Sequence, residues 1–490
     1  MNKMKVLLVS MEAGLRSDVP TYAGGLGVLV GDKLRAARDM KQQVDVVTFS
    51  YPLGYARHIV VDGKVAMETV QYDPHSFFKS AGEMRLKTRF GRLNVEVLRG
   101  ENAWLIHTDL AKKLYIEASP EERLKKEVIL GTAAARLAEE YDVLHAEESH
   151  TAFATELVRK QHPKKRVVFT THTPLPHGHE VWSARAIRRF WGGVRKVSMT
   201  KLALRNADYV NCVSRMQWET MNPHLDYRAD YITNGVHVSW LHPAIRRLLR
   251  KHVGDVTRNP LKFALARALP AGEFKDARAK AREELVKEVN GKAWKNREFG
   301  DAFTVGIARR FTGYKRLDLV LHHWEELDKL AAKQPLQLVF AGVAHPLDTE
   351  GLATIEKVIA IGGRAKNLRI AYFPFYTMEL ARKMIAGSDL WLNVPREGLE
   401  ASGTSWMKAM LNGTVLVSTL SGSVPEYADE TNALIIPRGS EEEQARTLLG
   451  HIKAAMKDRK LWKTGVKAIA SSAPLTAHRM MHDYFRKAYS

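Results

Sequence analysis

Two doubly wound α/β domains in tandem are predicted for this chain, on three observations. At 490 residues it is too long for a single hydrophobic core. Apolar strands alternate with amphipathic helices from the first residues onward, and the alternation starts afresh near residue 301. Between the two series lies a charged helical stretch. The expected division is a first Rossmann-like domain over 1–243, a connecting segment over 244–300 and a second Rossmann-like domain over 301–470. A final helical segment, 471–490, is expected to pack back on the first domain.

The elements follow in order. KVLLVSMEAG reads as a buried strand ending in a glycine turn. YAGGLGVLVGDKLRAARDM is a glycine loop running into a helix whose apolar positions recur at three and four. VDVVTFSY is the next strand and completes a βαβ unit. VEVLRG, AWLIHT, DVLHAEE, RVVFTTHT and YVNCVS are further strands. ASPEERLKKEVILGTAAARLAEEY is a helix with Ser119 as cap, Pro120 at its first position and Glu122 three beyond the cap. In the second series TVGIARR, LQLVFAG, LRIAYFP, DLWLNVP, TVLVST and ALIIP are strands. LDLVLHHWEELDKLAAK, GLATIEKVIAI, MELARKMIAGS and WMKAMLNG are the helices between them.

The composition, 45% hydrophobic and 26% charged, is that of an ordinary globular protein. A single cysteine, Cys212, excludes an internal disulfide and a cysteine-built metal site. The apolar run at the N-terminus is shorter than a signal-peptide core, so the cytoplasm is the expected compartment and no membrane is expected as partner. The formal charge of +21 invites a nucleic-acid reading, but no zinc, homeodomain or RNA-motif spacing accompanies it. The basic residues are scattered through helices as solvated faces, with a field that draws in phosphorylated substrates as the partial alternative.

Five segments carry candidate chemistry. In EGLEASGTSWMKAMLNG (397–413), Ser402, Gly403, Thr404 and Ser405 lead into a helix, with Glu400 beside them and Lys408 one turn inside. Ser and Thr there suit N-caps, and the amide groups of a helix start attract anions. Lys408 suits a phosphate ligand or a Schiff-base amine. In ARRFTGYKR (308–316) four cations, Arg309, Arg310, Lys315 and Arg316, follow a strand end, where their mutual repulsion calls for an anion. Arg310 suits the grip of a fork and Lys315 that of a point charge. TTHTPLPHGHE (170–180) holds His172, His177 and His179, but two prolines keep them off one helix face and their spacing fits no zinc set, so no metal is expected. A histidine bonding a substrate hydroxyl is preferred. ITNGVHVSWLHP (232–243) contributes Asn234 at a turn. GGLG, with Gly24 and Gly25, lies at a strand-to-helix junction; it lacks the spacing of a dinucleotide or P-loop site, yet its amides suit a phosphate.

Eight collinear segments resemble the α-glucan (glycogen, starch, maltodextrin) phosphorylases, particularly their short bacterial and archaeal branch. They are SMEAGLRSDVPTYAGGLGVLVGDKL, HTDLAKKLY with ERLKKEVILG, DVLHAEESHTAF, FTTHTPLPHGHE, ITNGVHV, ARRFTGYKR, FAGVAHPLD and LEASGTSWMKAMLNG. The resemblance implies the GT-B fold, two Rossmann-like domains facing across a cleft. It implies pyridoxal 5′-phosphate held as a Schiff base by Lys408, with Gly25, Thr404 and Ser405 near the cofactor and Gly25 looping over the phosphates. The implied reaction is phosphorolysis of the terminal α-1,4-linked glucose of a glucan by inorganic phosphate, giving α-glucose 1-phosphate with retention. Arg310 and Lys315 match the family's phosphate ligands. Glu400, Ser402 and Gly403 match groups that hold glucose hydroxyls, with Gly24 on the substrate side. His172 and Asn234 match the contacts to the 6-hydroxyl. A homodimer is the family's implication.

The match departs at three places. Trp406 stands where relatives have a small or polar residue, Ala13 replaces an aromatic, and TVLVSTLSGSVPEYADETNALIIP resembles nucleotide-sugar glycosyltransferases. Either a large side chain has moved from position 13 to 406 to fill one space, or Trp406 stacks on a nucleotide base. The second reading makes the chain a glycogen or starch synthase using ADP- or UDP-glucose, with no pyridoxal. A non-catalytic glucan-binding protein is the remaining alternative, disfavoured because Glu400, Arg310, Lys315 and Lys408 occur together.

Overall fold

The computed structural model describes residues 4–175 and 178–490. Its first sheet has nine strands. Seven run parallel in the spatial order Ala229–Tyr231, Tyr209–Cys212, Arg166–Thr170, Val143–Glu147, Lys5–Val9, Gln43–Phe49 and Ala103–His107. Gly91–Gly100 and Lys79–Thr88 then continue it antiparallel. The second sheet has seven strands, ordered Trp294–Lys295, Arg369–Phe373, Leu336–Ala341, Phe303–Ala308, Leu390–Asn393, Val415–Thr419 and Ala433–Ile436. Only its Trp294–Lys295 edge is antiparallel. Strands buried on both faces have near-continuous apolar runs, as LLV and LQLVFA do.

In each sheet the strand order reverses at one place, where successive connections leave in opposite directions and open a crevice. In the first sheet this is Lys5–Val9, flanked by Gln43–Phe49 and Val143–Glu147. In the second it is Phe303–Ala308, flanked by Leu336–Ala341 and Leu390–Asn393. The residues leaving those strands are Ser10 to Gly14 and Arg309 to Lys315.

Local signals hold where sequence alone sets them. Ser119 caps Pro120–Leu137 by accepting the Glu122 amide at 3.2 Å. LDLVLHHWEELDKLAAK, expected as one helix, is instead a short turn at Leu319–Leu321 and a helix at Trp324–Ala331. Leu319, Val320 and Leu321 are all buried, which a one-faced helix cannot do with three consecutive residues. The hairpin Ala56–Val61 with Lys64–Thr69 bridges to the second domain, where His58 Nδ1 meets the Tyr372 hydroxyl at 3.0 Å. Among the described residues no helix is long and apolar enough to cross a membrane.

The connecting region folds as helices at Pro243–His252 and Ala271–Lys292, with a 3-10 stretch at Pro260–Ala268 between them. Near its end the chain returns to the first domain. The helix Ala477–Asp483 and the π-helical stretch Tyr484–Ala488 that continues it place Met480, Met481, Tyr484 and Tyr489 in one core with Val6, Leu8 and Val30. Val236 is the meeting point of the two crossings: its amide donates to Leu475 O and its carbonyl accepts from Ala477 N, both at 2.8 Å. The backbones come so close that a Cβ on Gly235 would stand 2.4 Å from Thr476 O. Beside this seam one oxygen of Asp39 accepts from His237 at 2.8 Å and His478 at 3.1 Å. The other ring nitrogen of His237 takes the Ser239 amide, the reverse of what a metal-bound imidazole needs, so the trio is a hydrogen-bonded clasp.

Candidate active site

The strand Phe303–Ala308 delivers Arg309 and Arg310, and a tight turn at Gly313–Lys315 swings Lys315 back toward them. Glu400 meets this group: its Oε2 lies 3.2 Å from Arg309 Nη2 and 3.7 Å from Lys315 Nζ. All three side chains are nearly buried. Burial pushes the Glu400 carboxyl up, but Arg309, Lys315 and Arg310 outweigh it and hold the group below its usual range. Burial also drives the Lys315 amine down to about 7, against the pull of Glu400 and with help from the two arginines. Arg309, Arg310 and Lys315 therefore crowd around Glu400, with Glu12 of the facing domain also acting on Arg310. Among the described residues Arg309 Nη1 and Glu400 Oε2 have no hydrogen-bond partner. Such a charge surplus in a nearly buried site suits an incoming anion.

Gly403 makes this packing possible, since a Cβ there would stand 2.2 Å from Arg309 Nη2. Arg316, expected among the anion-binding cations, turns away. In a left-handed conformation (φ 46°) its guanidinium donates to the carbonyls of Val394 and Pro395, so it pins a loop. The N-cap reading of Thr404 also needs correction: Thr404 occupies the cap position of Ser405–Leu411 without a side-chain cap bond. Ser405 accepts the Trp391 indole at 3.2 Å.

On the facing domain the residue after the strand Lys5–Val9 that matters is Glu12. Its carboxylate accepts the amides of Ala23 at 2.7 Å and Gly24 at 3.0 Å, filling part of the glycine loop with the protein's own anion. Gly24 thus spends its amide internally, while Gly25 opens the helix Gly25–Asp39 with free space where a side chain would stand. Burial raises the Glu12 carboxyl, and the two amides and Arg310 only partly offset it. A cleft of about 470 Å³ lies between the domains, lined by Tyr22, Tyr55, Arg310, Val343, Phe375 and Tyr376 among others.

His172 belongs to a separate group at the end of Val143–Glu147. Its Nε2 lies 2.7 Å from Glu147 Oε2 and its amide donates to Glu148 at 2.9 Å. Glu148 has a positive φ of 72°, and burial raises its carboxyl to about 7. Of the other histidines in this segment, His179 bonds Thr200 and Thr173, and His177 lies outside the described residues. Asn234 and Ser402 do meet between the domains, Nδ2 donating to the Ser402 carbonyl at 3.2 Å and leaving Oδ1 buried and without a partner among the described residues.

Lys408 is buried, and its amine sits over the Trp240 ring at 3.8 Å. Among the described residues it has no hydrogen-bonded carboxylate. Burial lowers the amine to about 8, with Asp32 opposing and Arg35 adding to the effect. A desolvated amine of this kind, stacked on an indole, fits a lysine that bonds covalently to a carbonyl-bearing cofactor. Trp406 does not stack on anything in the cleft: it is 1% exposed, in the core around Trp391 and Met407. Ala13 lies in the core of the first domain, whereas Trp406 lies in the core that joins the connecting helices to the second domain.

Glu12, Lys33, Glu147 and Trp240 were not singled out from sequence. The carboxylate pair ending DVLHAEE and the glutamate directly after the first strand were the available signals.

The Carbohydrate phosphorylase family model matches residues 191–478, and the Starch synthase catalytic domain model matches residues 5–234. The maltodextrin phosphorylase of Thermococcus litoralis is 30% identical, over 99% of this chain and 70% of the relative. The glycogen phosphorylase of Aquifex aeolicus is 29% identical, over 86% and 74%. An uncharacterized protein of Methanocaldococcus jannaschii is 27% identical over 85% of each chain. The two facing sheets with their crevice are the GT-B fold of phosphorylase-related glycosyltransferases. Within that class the chain belongs to the carbohydrate phosphorylase family.

Proposed function

We propose that the protein is an α-glucan phosphorylase, transferring the terminal glucosyl unit of an α-1,4-glucan to inorganic phosphate with retention. The observation that carries this reading is Lys408, a buried amine held at about 8 with no carboxylate bonded to it among the described residues. Beside a nucleotide ribose such an amine has no task; beside pyridoxal 5′-phosphate it has one. Lys408 would hold that group, with Thr404, Ser405 and Gly25 near it. When bound, the cofactor supplies a phosphate that exchanges a proton with the substrate phosphate.

The chain's own residues do the remainder. Arg310 and Lys315 bind the substrate phosphate and offset the repulsion between neighbouring anions. Lys315, at about 7 in the free protein, takes up a proton as the anion arrives. Glu400, ionised and held by Arg309 and Lys315, accepts hydrogen bonds from glucose hydroxyls. Asn234 and His172 orient the sugar. Glucan and phosphate are thus the partners, and the cytoplasm is the compartment where both occur.

A nucleotide-sugar synthase remains the second reading, favoured by the starch synthase match over 5–234 and the aromatic wall of the cleft. The test is direct. Purified protein should carry a near-ultraviolet chromophore that borohydride fixes to Lys408, located by peptide mass, and should release glucose 1-phosphate from maltodextrin with phosphate. Colourless protein, inert to phosphate but active with ADP- or UDP-glucose, overturns the proposal.

A further inference from the structure

Beneath His172 lies an ion pair with no role in the reaction as described so far. Lys33 Nζ and Glu147 Oε1 are 2.5 Å apart, and both side chains are 0% exposed. Removing two charges from water costs several kcal/mol per ion, and an apolar pair of similar volume is often as stable. The pair thus calls for a purpose beyond stability.

Its geometry supplies one. The two oxygens of Glu147 are divided: Oε1 takes Lys33 and Oε2 takes His172 Nε2 at 2.7 Å. Burial raises the Glu147 carboxyl, but His145, Lys33 and His172 together bring it well below its usual range, so it is ionised and accepts only. Burial lowers the His172 imidazole, which is therefore neutral at physiological pH. A neutral ring facing an ionised carboxylate must carry its proton on that side, leaving Nδ1 with a lone pair. Nδ1 has no partner among the described residues.

The surroundings hold the carboxylate in place. The Lys33 amine lies over the Tyr484 ring at 4.3 Å. His145, 3.6 Å from Glu147 Oε1, is fixed by Tyr489 at 2.8 Å and Thr170 at 2.7 Å. The returning C-terminal segment thus supports the pair from below.

We propose that Glu147, charge-compensated by Lys33, is a positioning residue that fixes His172 as the Nε2–H tautomer, so that this histidine accepts a hydrogen bond from a glucosyl hydroxyl and never donates one. The proposal rests on the phosphorylase reading for its substrate, and on the distances around Glu147 for the tautomer. It makes the site selective for a sugar with a donor hydroxyl at that position. A 6-fluoro sugar, which only accepts, should be as poor as a 6-deoxy sugar.

The experiment uses the whole holoenzyme, with nitrogen-15 histidine labelling and glucan synthesis from glucose 1-phosphate as the two readouts. Because Glu147→Gln alone strands Lys33 in the core, the informative variant is the double Lys33→Met/Glu147→Gln, which removes both charges. In the wild type His172 should be a single neutral Nε2–H tautomer. In the double variant the Nδ1–H form should become populated, and kcat/KM should fall at least about tenfold, as a mis-set tautomer does in other histidine sites. The 6-fluoro and 6-deoxy forms of glucose 1-phosphate should react at similar, reduced rates. An Nδ1–H tautomer in the wild type, an unchanged tautomer or kcat/KM in the double variant, or good turnover of the 6-fluoro sugar overturns the proposal. If the wild type lacks phosphorylase activity, the function reading fails separately, and the tautomer measurement alone decides this one.

Discussion

Lys315→Met should make the free protein more stable while removing its hold on phosphate. In the structure the amine is 14% exposed and is held at about 7, compared with an ordinary value of 10.5. Its neutral form is therefore favoured in the folded state, and the fold binds fewer protons than the unfolded chain. The resulting penalty is fully present below about pH 7 and is relieved as pH rises toward the unfolded value. At pH 7 it amounts to about 4 kcal/mol at 1.36 kcal/mol per decade, an upper figure because local relaxation reduces it. Methionine fills similar space without the charge, and Glu400 keeps Arg309 at 3.2 Å. Urea unfolding at about pH 6 and about pH 9.5 measures the effect. The variant should exceed the wild type by a few kcal/mol at the lower pH, with the gap shrinking at the higher. Phosphate affinity should fall at both. A variant less stable than wild type at pH 6, or a gap independent of pH, would refute the burial argument for this lysine.

Three further outcomes are expected. Sulfate, a permanent dianion, should bind at about pH 8.5 with uptake of up to about one proton by Lys315, read from titration calorimetry in buffers of different ionisation heat. Gly403→Ala should cut turnover at least about tenfold with little change in melting temperature, because its Cβ would stand 2.2 Å from Arg309 Nη2 and displace that guanidinium from Glu400. Gly235→Ala should cost about 1–3 kcal/mol in urea unfolding, since the added carbon meets the Thr476 carbonyl at 2.4 Å and forces apart the two chain crossings.

Much of the fold was legible because its signals are local. Strand runs such as KVLLV and LQLVFA, the Ser119 cap and the helical period after GGLG depend on neighbours within a few residues. The cation segment at 309–316 was legible as a cluster of charges at a strand end, of which Arg309 and Lys315 meet Glu400 while Arg316 holds a loop. The glycine loop was misread in part: Glu12 occupies amides that spacing alone left open to a phosphate. Trp406 was weighed as a base-stacking platform and lies in a core, since one residue's burial depends on everything packed around its helix.

By itself the sequence determined most of the elements, the doubly wound α/β class of the two series, and the cluster of Arg309, Arg310 and Lys315 just after a strand; strand order came from the structure. Only the tertiary structure decided which charges meet. Lys33 and Glu147 are 114 residues apart, and Asn234 and Ser402 are 168 apart. Such pairs are set by strand register and by the return of the chain's end, which local periodicity does not encode. The free energy of a buried charge depends on the partner that topology brings to it.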